Sequence, residues 1–310
     1  MSNISKSIQT NGRLWVAVGY FLLAHVFTAS GQNSFTYSQY MNNPLPLNQA
    51  YSLLDKNGSI TGLYRSQWTG IEGAPKTFMF NTAIPLESMN GAAGLTILND
   101  QFAIERVSEA NFFIAKGVRL GNESFLGVSL NAGVRQYVAN YSTLTTSDPS
   151  FRNDVHQTRP NVGFSVMLYA TNYYVGFALP ELTVAALGGG SLEDNIYFNS
   201  HFNFSAAYLI DNGSDFKFKP AFLAYYTKNE PLIADFSTTL YVKNIIGLGA
   251  DYRTDKHMSG IISINSSNVR IGYSYQFGTT GNNLGGVNNA VHEVMLTYRF
   301  GKHLNNISLL

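Results

Sequence analysis

Leu126-Gly127-Val128-Ser129-Leu130-Asn131-Ala132-Gly133-Val134-Arg135 decides how the rest of the chain is read. Every even position is apolar and every odd one is small or polar. Successive side chains of a strand point to opposite faces, so this segment carries one apolar and one polar face. The same period returns downstream. Val162, Phe164, Val166 and Leu168 alternate with Asn161, Gly163, Ser165 and Met167. Val269, Ile271, Tyr273, Tyr275 and Phe277 alternate with Arg270, Gly272, Ser274 and Gln276, and Val294, Leu296, Tyr298 and Phe300 with Glu293, Met295, Thr297 and Arg299. No helical period is sustained, and after residue 31 no apolar run reaches the roughly 18 residues of a spanning helix.

About fourteen such segments can be marked: 58–67, 76–84, 91–99, 105–118, 123–138, 159–170, 173–180, 196–210, 216–226, 233–243, 246–253, 258–265, 268–278 and 291–300. Every second connection is short, while the three longest, around 139–158, 181–195 and 279–290, fall on one side. Bacterial outer-membrane barrels have an even strand number, short periplasmic turns and long outer loops. The reading is an all-β chain forming one transmembrane barrel of about 14 antiparallel strands over 58–310, with both mature termini in the periplasm.

Composition agrees with that reading. Only 13% of the 310 residues are charged, while Tyr and Phe number 19 and 21. Mean hydropathy is −0.04, the average of a lipid-facing and a water-facing half. A net charge of +1 supplies no field for nucleic acid, and zero Cys removes disulfides, thiolate metal sites and thiol nucleophiles. Tyrosines near strand ends, among them Tyr137, Tyr141, Tyr169, Tyr173, Tyr225, Tyr226, Tyr252 and Tyr275, are expected at the headgroup level.

The first residues read as an address. Lys6 and Arg13 precede the uncharged run Leu14 to Phe27, and Ala29-Ser30-Gly31 follow, the order of a secretory signal peptide over 1–31. Residues 32–57 are aromatic and proline-punctuated, too irregular for a strand and too apolar for a free tail. They are expected to occupy the periplasmic mouth or plug the lumen.

Strand parity places Arg65, Arg135, Asp251, Arg253, Arg270, Glu293 and Arg299 on the lumen side. Such charges either line a selective pore or pair with one another to fill a narrow lumen. Catalytic patterns are missing from the sequence. His156, His201, His257, His292 and His303 are scattered, Gly188-Gly189-Gly190 has no Lys-Ser/Thr after it, and neither HExxH nor Gly-x-Ser-x-Gly occurs. Asp148 and Asp154 read as solvated loop carboxylates ahead of a calcium site. The expectation is no enzyme, no cofactor and no metal.

A set of ordered motifs narrows the class. Phe35-Thr36-Tyr37-Ser38-Gln39-Tyr40-Met41-Asn42-Asn43-Pro44, then Asn48-Gln49-Ala50-Tyr51, is followed by Arg65-Ser66-Gln67-Trp68-Thr69-Gly70-Ile71-Glu72-Gly73-Ala74-Pro75-Lys76-Thr77. Asp148-Pro149-Ser150-Phe151, Arg159-Pro160-Asn161-Val162-Gly163, Arg270 to Tyr275 and His292 to Leu296 complete the order. This set resembles the PorP/SprF family, outer-membrane proteins of the type IX secretion system in Bacteroidetes. The family's N-terminal signature falls here on Ser38, Gln39, Tyr40, Met41, Pro44, Ala50 and Tyr51, with Gln49 where Pro is common.

The resemblance implies a barrel similar to fatty-acid transporters and a non-enzymatic role in the outer membrane. It implies three kinds of contact: the lipid bilayer, the type IX translocon or its periplasmic ring components, and a secreted surface protein as cargo, such as an adhesin with a type B C-terminal domain. Outer loops at 68–75, 139–158, 181–195 and 279–290 are the expected cargo surface. Trp68 and Phe151 would serve as aromatic anchors, with Arg152, Asp154 and Arg159 as polar contacts. Two other readings stay open: a channel or transporter for small hydrophobic or polar molecules, and a soluble exported all-β protein.

Overall fold

The computed structural model describes residues 36–144, 148, 153–183, 199–227, 230–278, 290–304 and 308–310. The signal peptide read over 1–31, together with Phe151, Arg152 and Gly188 to Gly190, lies outside the described residues. Among the described residues, fourteen antiparallel strands close on themselves. They are β1 Gly58–Gln67, β2 Lys76–Leu86, β3 Gly91–Phe102, β4 Glu105–Arg119, β5 Phe125–Ala139, β6 Val155–Tyr169 and β7 Tyr173–Thr183. After them come β8 His201–Tyr208, β9 Phe216–Thr227, β10 Ile233–Val242, β11 Ile246–Arg253, β12 His257–Asn265, β13 Val269–Gly278 and β14 Val291–Phe300.

Neighbours in sequence are neighbours in the sheet, and the seam joins β1 to β14 from Gly58↔Phe300 to Gln67↔Val291. Closure leaves no free edge, the condition a sheet must meet where hydrocarbon offers no hydrogen-bond partner. The faces are the reverse of a soluble protein's. On β5, Gly127, Ser129 and Asn131 point inward and are buried, while Val128, Leu130 and Val134 point outward, Leu130 being 65% exposed. On β14, Glu293, Met295, Thr297 and Arg299 are buried and Val294, Leu296 and Tyr298 are exposed.

Irregularities have local causes. Pro220 in β9 has no N–H for a ladder, and β8 breaks one position on, at Leu209 opposite Lys219, before resuming at Ile210–Asp211. β5 and β6 run further than the sequence suggested, to the pair Ala139↔Val155, so the connection between them spans 140–154 and not 139–158. Val107, Tyr137 and Ala139 pack there on the inner face with Tyr141 and Val155, which holds the ladder together. β7 likewise reaches Thr183. Tyr137 and Tyr225 point into the barrel, each 4% exposed, and so do not belong to an aromatic girdle.

The connections sort by end. Turns 87–90, 120–124, 170–172, 212–215, 243–245 and 266–268 lie at one end, together with the start of β1 and the finish of β14. The other end carries 68–75, 140–154, 184–200 and 279–290 as well as the tight turns 103–104 and 254–256.

Residues Tyr37 to Leu310 form one compact unit, and its first fourteen residues, Tyr37 to Ala50, lie inside the barrel. From Tyr37 to Ala50 every residue but Pro46 is buried. Two 3-10 turns, Ser38–Met41 and Gln49–Leu53, flank the prolines. Between them the Pro44 carbonyl accepts from both Leu47 (3.0 Å) and Asn48 (3.1 Å). Asn48 then caps the second turn by accepting from the Ala50 N–H at 3.0 Å. The wall thins where this segment passes. A Cβ at Gly272 would lie 2.8 Å from Gln39 Oε1, so a larger residue there would oblige the Gln39 amide to shift.

Candidate functional site

The lumen grips the inserted segment at two levels. Near the long-loop end, Glu293 on β14 faces the backbone of the first 3-10 turn. Its two carboxylate oxygens accept from the Ser38 and Gln39 N–H groups, both at 3.0 Å. Ser274 Oγ donates to the same carboxylate at 2.9 Å, and Arg65, its ladder partner on β1, stands 3.3 Å away. Hydrogen bonds to an ionised acceptor are about twice as strong as neutral ones, and here a single buried carboxylate collects several. Beside it, the Tyr40 hydroxyl donates to Asp235 Oδ1 at 3.0 Å, with Ser237 Oγ at 2.8 Å. Ser38 Oγ meets Ser259 Oγ at 2.8 Å.

Nearer the short-turn end, cations hold carbonyls. Lys219, 1% exposed, donates from Nζ to Met41 O (2.8 Å) and Leu309 O (2.7 Å) and lies 5.6 Å from the Tyr241 ring centre. Arg270 donates to Asn42 O at 3.1 Å and to Asn265 Oδ1 at 2.5 Å, and Arg299 Nε stands 3.5 Å from Asp55. Asn43 Nδ2 donates to Asn81 Oδ1 at 2.8 Å. The second half of the segment is held differently. Leu45 packs with Ala83 and Phe113, and Ala50 packs among Met167, Tyr169, Tyr174 and Ala207. Tyr51 sets its ring edge-to-face on Tyr174 at 5.6 Å, and its hydroxyl donates to the Leu310 carbonyl.

The other sequence-derived charges are also on the inner face. Arg135 forms ion pairs with Glu109 and Glu181, and His201 Nδ1 is 3.9 Å from Glu181. Arg253 bonds Asp255 at 2.5 Å, and Asp251 is buried on the same strand, next to Asp235. Met41 contributes its sulfur as acceptor for Thr239 Oγ1 at 3.0 Å.

Of the residues named for partner contact, Trp68, Asp154 and Arg159 fall among the described residues. Trp68, in the left-handed region at φ 48°, donates its N–H to Ala290 O at 3.2 Å and packs edge-to-face on Phe102 at 6.1 Å. Asp154 is exposed at the foot of the 140–154 connection, where the Ser142 N–H (2.8 Å) and hydroxyl (3.0 Å) hold its carboxyl below the usual carboxylate range. Arg159 sits within β6, as the strand marked at 159–170 placed it, half-buried and opposite Arg135.

Three contributors went unread in the sequence. Lys219 and Asp235 each share the parity of polar neighbours, Lys217 in one case and Ser237 and Thr239 in the other, and parity would have found them. Glu109 shares its face with polar Asn111 but also with apolar Val107 and Phe113, so the parity of β4 was mixed there. Among the described residues no group of three or more His, Cys, Asp or Glu is placed to hold a metal ion.

A family model described as type IX secretion system membrane protein PorP/SprF matches residues 29–298. The fold is similar to that of the CymD monoaromatic hydrocarbon channel, at TM-score 0.51 and 12% identity over 88% of this chain and 96% of that one. It is equally similar to a TodX monoaromatic hydrocarbon channel mutant, at 0.51 and 11% over 89% and 97%. The toluene transporter TodX of P. putida follows at 0.47 and 10% over 84% and 94%. No protein of curated function matches the sequence.

Proposed function

The chain belongs to the type IX secretion system PorP/SprF family of membrane proteins, and we propose that within this system it is a closed docking platform of the outer membrane, not an open pore. The observation that carries this reading is the bolted segment. Glu293, Asp235, Lys219 and Arg270 each bind residues 38–42, from four different strands. A segment held through its backbone on several sides is built as a plug. The long-loop end then faces outward and offers its loops to a secreted surface protein. The short-turn end, which both chain ends enter, faces the periplasmic parts of the machine, after export by a cleaved signal peptide over 1–31.

The absence of cysteine makes a direct test available. Ser38→Cys with Ser259→Cys replaces two oxygens 2.8 Å apart by a disulfide that fixes the plug to the wall. The oxidised variant is expected to retain cargo at the cell surface as the unmodified protein does, and the unmodified protein to show no steady single-channel conductance in a planar bilayer. Steady conductance, or cargo retention that fails on oxidation and returns on reduction, would favour a gated channel; CymD and the TodX mutant are monoaromatic hydrocarbon channels. Deleting residues 141–153 is expected to abolish cargo retention while the barrel still assembles.

A further inference from the structure

Below the plug, at the short-turn end, a cavity of about 60 Å³ lies between the segment, β1, β2, β13, β14 and Ser308. A single water needs roughly 10–15 Å³ of such space, so the cavity holds a few waters or one small polyatomic group. Its wall is lopsided in charge and in hydrogen-bonding capacity. Arg270 and Arg299 both line it, 2% and 5% exposed. Arg270 Nη2 and Arg299 Nη1 are buried without any hydrogen-bond partner. Against these two guanidinium groups the wall offers one carboxylate, Asp55, 3.5 Å from Arg299 Nε.

The rest of the lining supplies hydroxyls and amides that can add donors: Ser59, and one hydroxyl of the Thr61–Thr297 pair, whose oxygens lie 2.9 Å apart and share one proton between them. Half-buried Ser52, Asp55 and Ser308 form an edge open toward the short-turn end. Arginine left with free planar N–H groups in a buried position is matched by the paired oxygens of a carboxylate or phosphate, which accept from both forks.

We propose that this cavity is a binding site for one small oxyanion, phosphate or carboxylate, held between Arg270 and Arg299. An anion here would tie the plug (through Arg270 and Asn42) to the seam strand β14 (through Arg299). The site is thus a ligand-dependent brace at the periplasm-facing mouth, and it involves none of the long loops.

The test is titration calorimetry on the full-length protein in detergent, with inorganic phosphate and with acetate, each against sodium chloride of matched ionic strength. One saturable site per chain is expected for at least one of the two oxyanions and none for chloride. The stronger of the two identifies the natural source as a phosphoryl or a carboxylate group. Arg299→Gln should weaken binding at least tenfold. Thr297→Asp, which supplies a carboxylate from within, should remove binding while heat-modifiable gel mobility shows an intact barrel. Arg119→Gln, at an exposed position of the same end, should leave binding unchanged. If Arg299→Gln fails to assemble, Thr297→Asp decides. No saturable binding, or binding that Thr297→Asp leaves intact, overturns the proposal and makes the cavity a water site.

Discussion

Two arcs of the same barrel wall hold the same segment by different physics. The arc from β9 through β14 to β1 presents Lys219, Asp235, Arg270, Glu293 and Arg65, and it holds residues 38–42 through hydrogen bonds to backbone and hydroxyl groups. The arc from β2 to β8 presents Ala83, Phe113, Met167, Tyr169 and Tyr174, and it holds Leu45, Ala50 and Tyr51 by packing, joined by uncharged hydrogen bonds from Asn43 to Asn81, from the Ala50 N–H to Ser165 and from Asn203 to the Leu47 carbonyl, with no ionised group among them. Apolar burial is non-directional and adds affinity, whereas bonds to ionised groups fix position and register. The plug therefore needs the charged arc to be placed and the apolar arc to stay.

The sharpest way to break this division is Glu293→Ala. Removing one member of a buried ionic cluster leaves Arg65 and two N–H groups without their acceptor, a loss of about 3–5 kcal/mol. The unfolding midpoint should fall, and protease added to the purified protein should cut within 37–57 while the strands survive. Lys219→Met keeps length and removes the donor to Met41 and Leu309, for about 1.5–3 kcal/mol, with the same cleavage pattern in weaker form. A change on the apolar arc should behave otherwise. Ala50→Leu overfills a site where Ala50 is 0% exposed, costing about 1–3 kcal/mol. It should lower stability without releasing residues 38–42 to protease.

The smallest effect lies outside the lumen and measures what solvent does to the same kind of contact. Asp154 is held below the ordinary carboxylate range by Ser142, so the contact is fully present above that range and is lost as pH falls through the depressed value. Hydrogen exchange at the Ser142 amide should quicken relative to neighbouring amides on acidification. Asp154→Asn should remove the pH dependence with no measurable change in global stability.

The two arcs were not equally legible in the sequence. Strand existence, number and facing followed from alternation, because lipid and lumen impose opposite chemistry on adjacent residues. That rule weakens wherever the lumen itself is apolar. On β4, inward Phe113 beside outward Phe112 carries no alternation, so the packing surface under Leu45 was invisible. The plug had no period at all. Its prolines and asparagines announced an irregular segment, but its seat depends on Glu293 and Asp235, about 200 to 250 positions away along the chain. Loop limits erred where inward clusters such as Val107, Tyr137 and Ala139 extend a ladder beyond the membrane pattern.

The seam has one more consequence. Glu293, which receives the plug, belongs to the last strand, and Arg65, which steadies Glu293, belongs to the first. The residues that follow Tyr37 are made early in synthesis, yet their acceptor exists only once the final strand has zipped onto β1. Only the Glu293 part of the seat waits for the seam: in a barrel lacking its last strand the Ser38 and Gln39 N–H groups have lost their carboxylate, and Arg65 its ion pair.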